Sequence, residues 1–181
     1  MKVYVHLAVG FEEIEAITVV DVLRRAGVQA ETVSITGDHL VAGAHGISVT
    51  ADLLFEEADY DSCDMIVLPG GMPGTTNLGA HRGLVEKLER FAGQGRWLAA
   101  ICAAPMVFGE AGLLKGRTAV IYPGMEAHLK GARTGKKPVE IDGKIITSKG
   151  PGTAMAFAFA LVEVLKDKAT AEALKKAMLI D

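Results

Sequence analysis

Cysteine is scarce in this chain: only Cys63 and Cys102 occur among 181 residues. They form neither a CxxC pair nor a zinc-binding spacing, which argues against a disulfide framework or a thiolate zinc site. Two unpaired thiols make a reducing, cytoplasmic setting the expectation. Long apolar runs are missing too, since no window approaches the ~20 residues that span a bilayer. The first apolar stretch, Val3 to Val9, contains His6 and runs into Glu12 and Glu13. Neither a membrane span nor a secretory signal is therefore expected. Basic charge is not in excess: 19 Lys and Arg face 22 Asp and Glu, a net charge of -3. That lacks the footprint of a nucleic-acid binder. The local cluster Arg133, Lys136 and Lys137 reads as a solvated loop. No HxxxH, HExxH or carboxylate pair suggests a metal, and no GxGxxG or Gly-Lys-Ser/Thr suggests a nucleotide. No cofactor is expected.

Half of the residues are hydrophobic and 23% are charged. Such a chain is globular, and 181 residues suit one domain, 1–181, around a sizeable core. Short apolar runs alternate with helical patterns, the signature of βαβ units on a mostly parallel sheet. Strands are expected at Lys2–Ala8, Ala30–Ile35, Met65–Leu68, Trp97–Ile101, Thr118–Ile121 and Lys144–Thr147. Ile14, Ile17, Val20, Val22 and Leu23 recur as the buried stripe of a first helix that stops before Gly27. Residues 37–52 read as a Gly-rich hairpin excursion. Further helices are expected around Leu84, Leu88 and Phe91, from Pro105 to about Glu110, from Gly152 to Leu165 and from Ala169 to Met178. The sum is a three-layer, doubly wound domain whose sites lie at the carboxyl ends of the strands.

Cys102 follows strand Trp97–Ile101 directly and precedes a helix. A sharp turn there would present its side chain at the top of the sheet. Helix N–H groups and dipole would lower its thiol pKa toward the ~3.5–7.5 range. The competing reading is a buried structural cysteine. Cys63, between acidic residues ahead of a strand, is expected to be inert. Pro69-Gly70-Gly71 also ends a buried strand. It reads as an oxyanion hole shared with the Ala103 N–H, less well as a phosphate cradle, or simply as a turn that needs glycine. Glu12 and Glu13 suit a helix dipole and need no other role. Glu15 points into the fold or a cleft, where a buried carboxyl tends to keep its proton. No histidine neighbours Cys102 in sequence.

Five segments occur in order: GFEEIE (10–15), VDVLRRAG (20–27), VLPGG (67–71), AAICA (99–103) and TSKGPGT (147–153). Together they resemble the ThiJ/PfpI superfamily, in the branch of the parkinsonism-associated protein deglycase, along essentially the whole chain. The resemblance implies a flavodoxin-like α/β/α sandwich and a homodimer, with Asp21 and Arg25 near the dimer face. It makes Cys102 the nucleophile and the oxidation-sensitive thiol, with Glu15 its hydrogen-bonded partner and Gly71 and Ala103 the backbone pocket. It further implies glyoxalase-type conversion of methylglyoxal, deglycation of protein adducts, redox sensing through a sulfinate, or chaperone action. The partners implied are a small reactive carbonyl or a glycated protein. Three positions depart from the pattern. Tyr122 stands where several members carry a histidine, so it supplies only a hydroxyl. His45 replaces an arginine at the pocket edge. Ala103 replaces the histidine of the protease-like members, which argues against a Cys-His peptidase.

Overall fold

A computed structural model describes residues 1–180. Its strands are β1 (Lys2–Leu7), β2 (Gln29–Ser34), β3 (Leu40–Ala42), β4 (Ser48–Thr50), β5 (Leu53–Leu54), β6 (Met65–Leu68), β7 (Trp97–Ile101), β8 (Thr118–Ala119), β9 (Arg133–Thr134), β10 (Val139–Asp142) and β11 (Ile145–Ser148). Its helices are α1 (Glu13–Arg25), α2 (Gly74–Ala80), α3 (Arg82–Gly93), α4 (Pro105–Glu110), α5 (Ala154–Leu165) and α6 (Lys168–Ala177). Seven strands form one sheet in the order β10-β11-β7-β6-β1-β2-β5. Within this sheet every pair is parallel except β10–β11.

Alternation along β1 explains the layers. Val3, Val5 and Leu7 enter one core with Ala16, Val19 and Leu23 of α1 and Phe157 and Leu161 of α5. Tyr4 turns to the other face, with Leu84, Leu88 and Phe91 of α3 and Phe108 of α4. Because both faces are covered, β6 and β7 are apolar without alternation, and Ile66, Leu98 and Ala100 are wholly buried. Ile66 and Leu98 each contribute roughly 1.5–3 kcal/mol of burial free energy. The protein thus has the flavodoxin-like three-layer sandwich that the sequence implied. The excursion at 37–52 is a hairpin, β3 against β4.

Two expectations fail locally. The strand expected at Thr118–Ile121 is only Thr118–Ala119, and it pairs with β9 outside the main sheet. The Thr147 hydroxyl accepts the Val120 N–H, so a side chain replaces the strand partner there. Ile14 and Ile17 do not belong to the buried stripe of α1: they are 55% and 42% exposed. The helix instead buries Glu13, Glu15, Ala16, Val19, Val20, Val22 and Leu23. The buried arc thus takes in the two carboxylates of the first turn in place of Ile14 and Ile17.

Candidate active site at the carboxyl ends of the central strands

Three neighbouring strands, β1, β6 and β7, deliver the site. Beyond β7 the chain must turn sharply into α4, and Cys102 makes that turn with φ +63°. A non-glycine residue there carries about 1–3 kcal/mol of strain. Its backbone is pinned from both sides: the Cys102 N–H donates to the Ser148 carbonyl at 3.0 Å, and its carbonyl accepts the Tyr122 N–H at 2.8 Å. The strained geometry is therefore fixed by β11 and by the segment after β8. The side chain that results is 9% exposed.

After β6 comes the Gly70-Gly71 turn. The Gly70 N–H donates to Glu15 Oε2 at 2.7 Å, and its carbonyl accepts the Glu12 N–H at 2.9 Å. A Cβ on Gly70 would stand 2.5 Å from the Cys102 Cβ and 2.8 Å from Glu15 Oε2. Gly71 has φ +87°, and a Cβ there would meet the Glu12 nitrogen at 2.5 Å. Glycine at these two positions lets the β6 turn lie directly against both Cys102 and the start of α1. As a result the Gly71 and Ala103 N–H groups face the Cys102 sulfur.

Glu15 rises from the first turn of α1 and is fully buried. Its Oε1 has no conventional hydrogen-bond partner, and its acid-base neighbour is the Cys102 thiol. Burial pushes the Glu15 carboxyl up to about 7, against the pull of the Gly70 N–H. Burial also pushes the Cys102 thiol up to about 12, helped by the Glu15 charge and opposed by the Gly71 and Ala103 N–H groups. This corrects the expectation of a depressed thiol pKa. The helix after Cys102 is short and starts only at Pro105, the sulfur is buried, and its nearest titratable neighbour is an acid rather than a base. The two buried acids disfavour joint ionisation and hold protons between them.

Tyr122 lies at the edge, 48% exposed. Its ring sits over Gly150, with a would-be Cβ 3.4 Å away. Its clearest tie to Cys102 is through the backbone. At the rim, Glu13 accepts the His45 N–H at 2.8 Å and faces His45 Nδ1 at 2.9 Å. Sequence reasoning gave Glu13 only a dipole role and did not pair it with His45, which is 32 residues away and joined to it by the β3–β4 hairpin. Cys63 is buried at the opposite end of β6, where its thiol donates to the Met65 carbonyl at 3.1 Å.

A cysteine on a strained strand-to-helix turn, paired with a buried carboxyl at the carboxyl edge of a parallel sheet, defines a class of α/β thiol proteins. The chain belongs to the DJ-1/PfpI family, whose profile matches residues 1–164. Among relatives, Protein DJ-1 homolog B of Arabidopsis thaliana is 41% identical over 92% of this chain. The chain spans only 39% of that relative, and 46% of the Arabidopsis DJ-1 homolog A. The deglycase PYRAB04690 of Pyrococcus abyssi is 32% identical over 92% of the chain and all of its own length. The solved structure of oxidized Toxoplasma gondii DJ-1 superposes with a TM-score of 0.95 at 37% identity, covering 99% of this chain and 98% of that one.

Proposed function

We propose that the protein is a cysteine-dependent, glutathione-independent glyoxalase or deglycase that acts on methylglyoxal or its protein adducts in the cytoplasm. The observation that carries this reading is the buried pair of Cys102 and Glu15 beneath the Gly71 and Ala103 N–H groups. The Pyrococcus relative named as a deglycase supports it. Glu15 takes the thiol proton as the Cys102 sulfur bonds to the aldehyde carbon. The oxyanion that forms rests against the Gly71 and Ala103 N–H groups and is protonated to a hemithioacetal. Glu15 then carries a proton from that carbon to the adjacent carbonyl carbon while the hydroxyl proton passes to the carbonyl oxygen, which converts the hemithioacetal through an enediol to a thioester without net oxidation. Water cleaves the thioester to lactate and restores the thiol. Tyr122 and Gly70 line the approach.

The test is methylglyoxal consumption and lactate formation without glutathione, by the wild type and by Cys102→Ser. Turnover in the wild type and its loss in the mutant are expected, by about 10³-fold or more. Turnover that survives in Cys102→Ser overturns the reading.

A second reading, oxidation of Cys102 to a sulfinate in a stress sensor or redox-regulated chaperone, is favoured by one observation. Glu15 Oε1 is buried without a hydrogen-bond partner, and a protonated Glu15 would donate to a sulfinate oxygen there. The oxidized Toxoplasma relative is consistent with it. No turnover, with a gain of two oxygens at Cys102 after mild peroxide, would favour this reading. The assembly proposed is a homodimer in which a second copy covers Ile14 and Ile17 of α1. Asp21 and Arg25, expected near that face, bond to each other at 2.7 Å.

A further inference from the structure

Three groups beside the cysteine pocket take no part in the chemistry above. Glu12, Glu13 and His45 each offer one ligand atom, and these atoms lie within 4.8 Å of one another. Glu13 is already oriented. Its Oε1 accepts the N–H groups of His45 at 2.8 Å and Ile47 at 3.4 Å. Its carboxylate also packs so closely on Gly43 that any Cβ there would overlap it. That leaves Oε2 aimed at His45 Nδ1, 2.9 Å away. Glu12 supplies an independent observation. Its side chain is only 10% exposed, and its Oε2 points at the same Nδ1 from 3.5 Å. That separation lies beyond ordinary hydrogen-bond length. A carboxylate so buried and so poorly supplied with donors favours a positive charge in front of it.

We propose that Glu12, Glu13 and His45 form a site for a first-row divalent transition cation, with Zn2+ as the reference ion. The spacing fits. Ligand atoms at ~2.0–2.1 Å from zinc stand about 2.9–3.4 Å apart for angles between octahedral and tetrahedral. The two Nδ1–oxygen separations here are 2.9 and 3.5 Å. One imidazole with two carboxylates suits zinc, nickel or manganese better than calcium, which prefers an all-oxygen shell. The cation replaces the proton that Nδ1 directs at the carboxylates. The His45 side chain is 68% exposed, so ions reach the site and water completes the shell. Cys102 is not among the ligand atoms of this cluster.

Calorimetric titration of the whole protein with Zn2+ tests this, using wild type, Cys102→Ser, His45→Ala and the isosteric Glu12→Gln, each checked for an unchanged circular dichroism spectrum. One equivalent binds the wild type and Cys102→Ser with the same Kd. His45→Ala and Glu12→Gln each weaken binding about tenfold or more. With Co2+ the complex shows no sulfur-to-metal charge-transfer band. Absence of saturable binding to the wild type overturns the proposal. So does an unchanged Kd in His45→Ala, or binding that disappears in Cys102→Ser. Binding is read without turnover, so the result stands apart from the fate of the glyoxalase reading.

Discussion

The floor and the rim of the pocket meet in one turn of α1 and treat the same side chain in opposite ways. Glu13 belongs to the rim and Glu15 to the floor. Burial alone would raise Glu13, but the His45 imidazole and three backbone N–H groups outweigh it and hold the carboxyl down at about 2. Glu15, buried with the Gly70 N–H and a thiol as its donors and the Glu12 charge nearby, is pushed up to about 7. Position on the helix cannot explain the contrast, since both sit near the same N-terminal dipole. The number of donors each carboxylate meets explains it. One pocket thereby holds a permanent anion and a proton carrier poised near neutrality, the division of labour expected of a pair with separated pKa values.

The sharpest way to break this comparison is to remove the carboxyl function at each place. Glu15→Gln is expected to lower kcat/KM for methylglyoxal by about 10²–10⁴-fold. Because the base form is the carboxylate, wild-type kcat/KM should rise through pH 7 and level off above it, and this inflection should vanish in the mutant. Glu13→Gln should change the rate by less than about tenfold and keep the inflection. Equal losses in both mutants would erase the distinction between floor and rim.

Stability should separate them with opposite signs. Glu15 binds its proton more tightly folded than unfolded, from 4.5 to about 7. It therefore costs stability as pH rises across that window, by up to about 3 kcal/mol above it. Denaturant unfolding at pH 8 should then find Glu15→Gln more stable than the wild type and indistinguishable from it near pH 4. Next in size, Gly70→Ala forces a Cβ into the Cys102 side chain, with an expected loss of about 1–3 kcal/mol in urea titration. The smallest effect belongs to the rim. Glu13, lowered from 4.5 to about 2, contributes stability above pH 4.5 that is lost as pH falls toward 2. After allowance for solvent screening this amounts to about 1 kcal/mol, and Glu13→Gln should flatten the acid limb of the stability curve.

The floor was more legible in the sequence than the rim. Cys102 could be placed because a buried strand ended on it, and Gly70-Gly71 because glycines followed an equally apolar strand. Glu15 was placed in the fold as a neighbour of Ile14, although Ile14 itself turns outward. Each of those signals is local. The Glu13–His45 pairing depends on how the β3–β4 hairpin folds back, which no periodicity encodes. The same holds for Ile14 and Ile17, whose apolar character signalled burial although the helix turns them outward. The thiol pKa was misjudged for a related reason: a helix start can be read from Pro105, but the burial of the sulfur against an acid cannot. The edge strands β5, β8 and β9 have two residues each, too few for any repeating pattern to register.

The site joins residue 15, residues 70 and 71, and residue 102, held by strands that are neighbours in the sheet but far apart in sequence. Parallel pairing of this kind closes long loops before it returns contacts, so it assembles late and slowly. A nascent chain must carry β7 before the elbow can exist. Until β7 pairs with β6 and β1, Cys102 is an ordinary exposed thiol, with a pKa near ~8.5 and no carboxyl to receive its proton. Carbonyls and oxidants meeting the chain during synthesis therefore find two equivalent cysteines. Discrimination between Cys63 and Cys102 begins only when β1, β6 and β7 have come together.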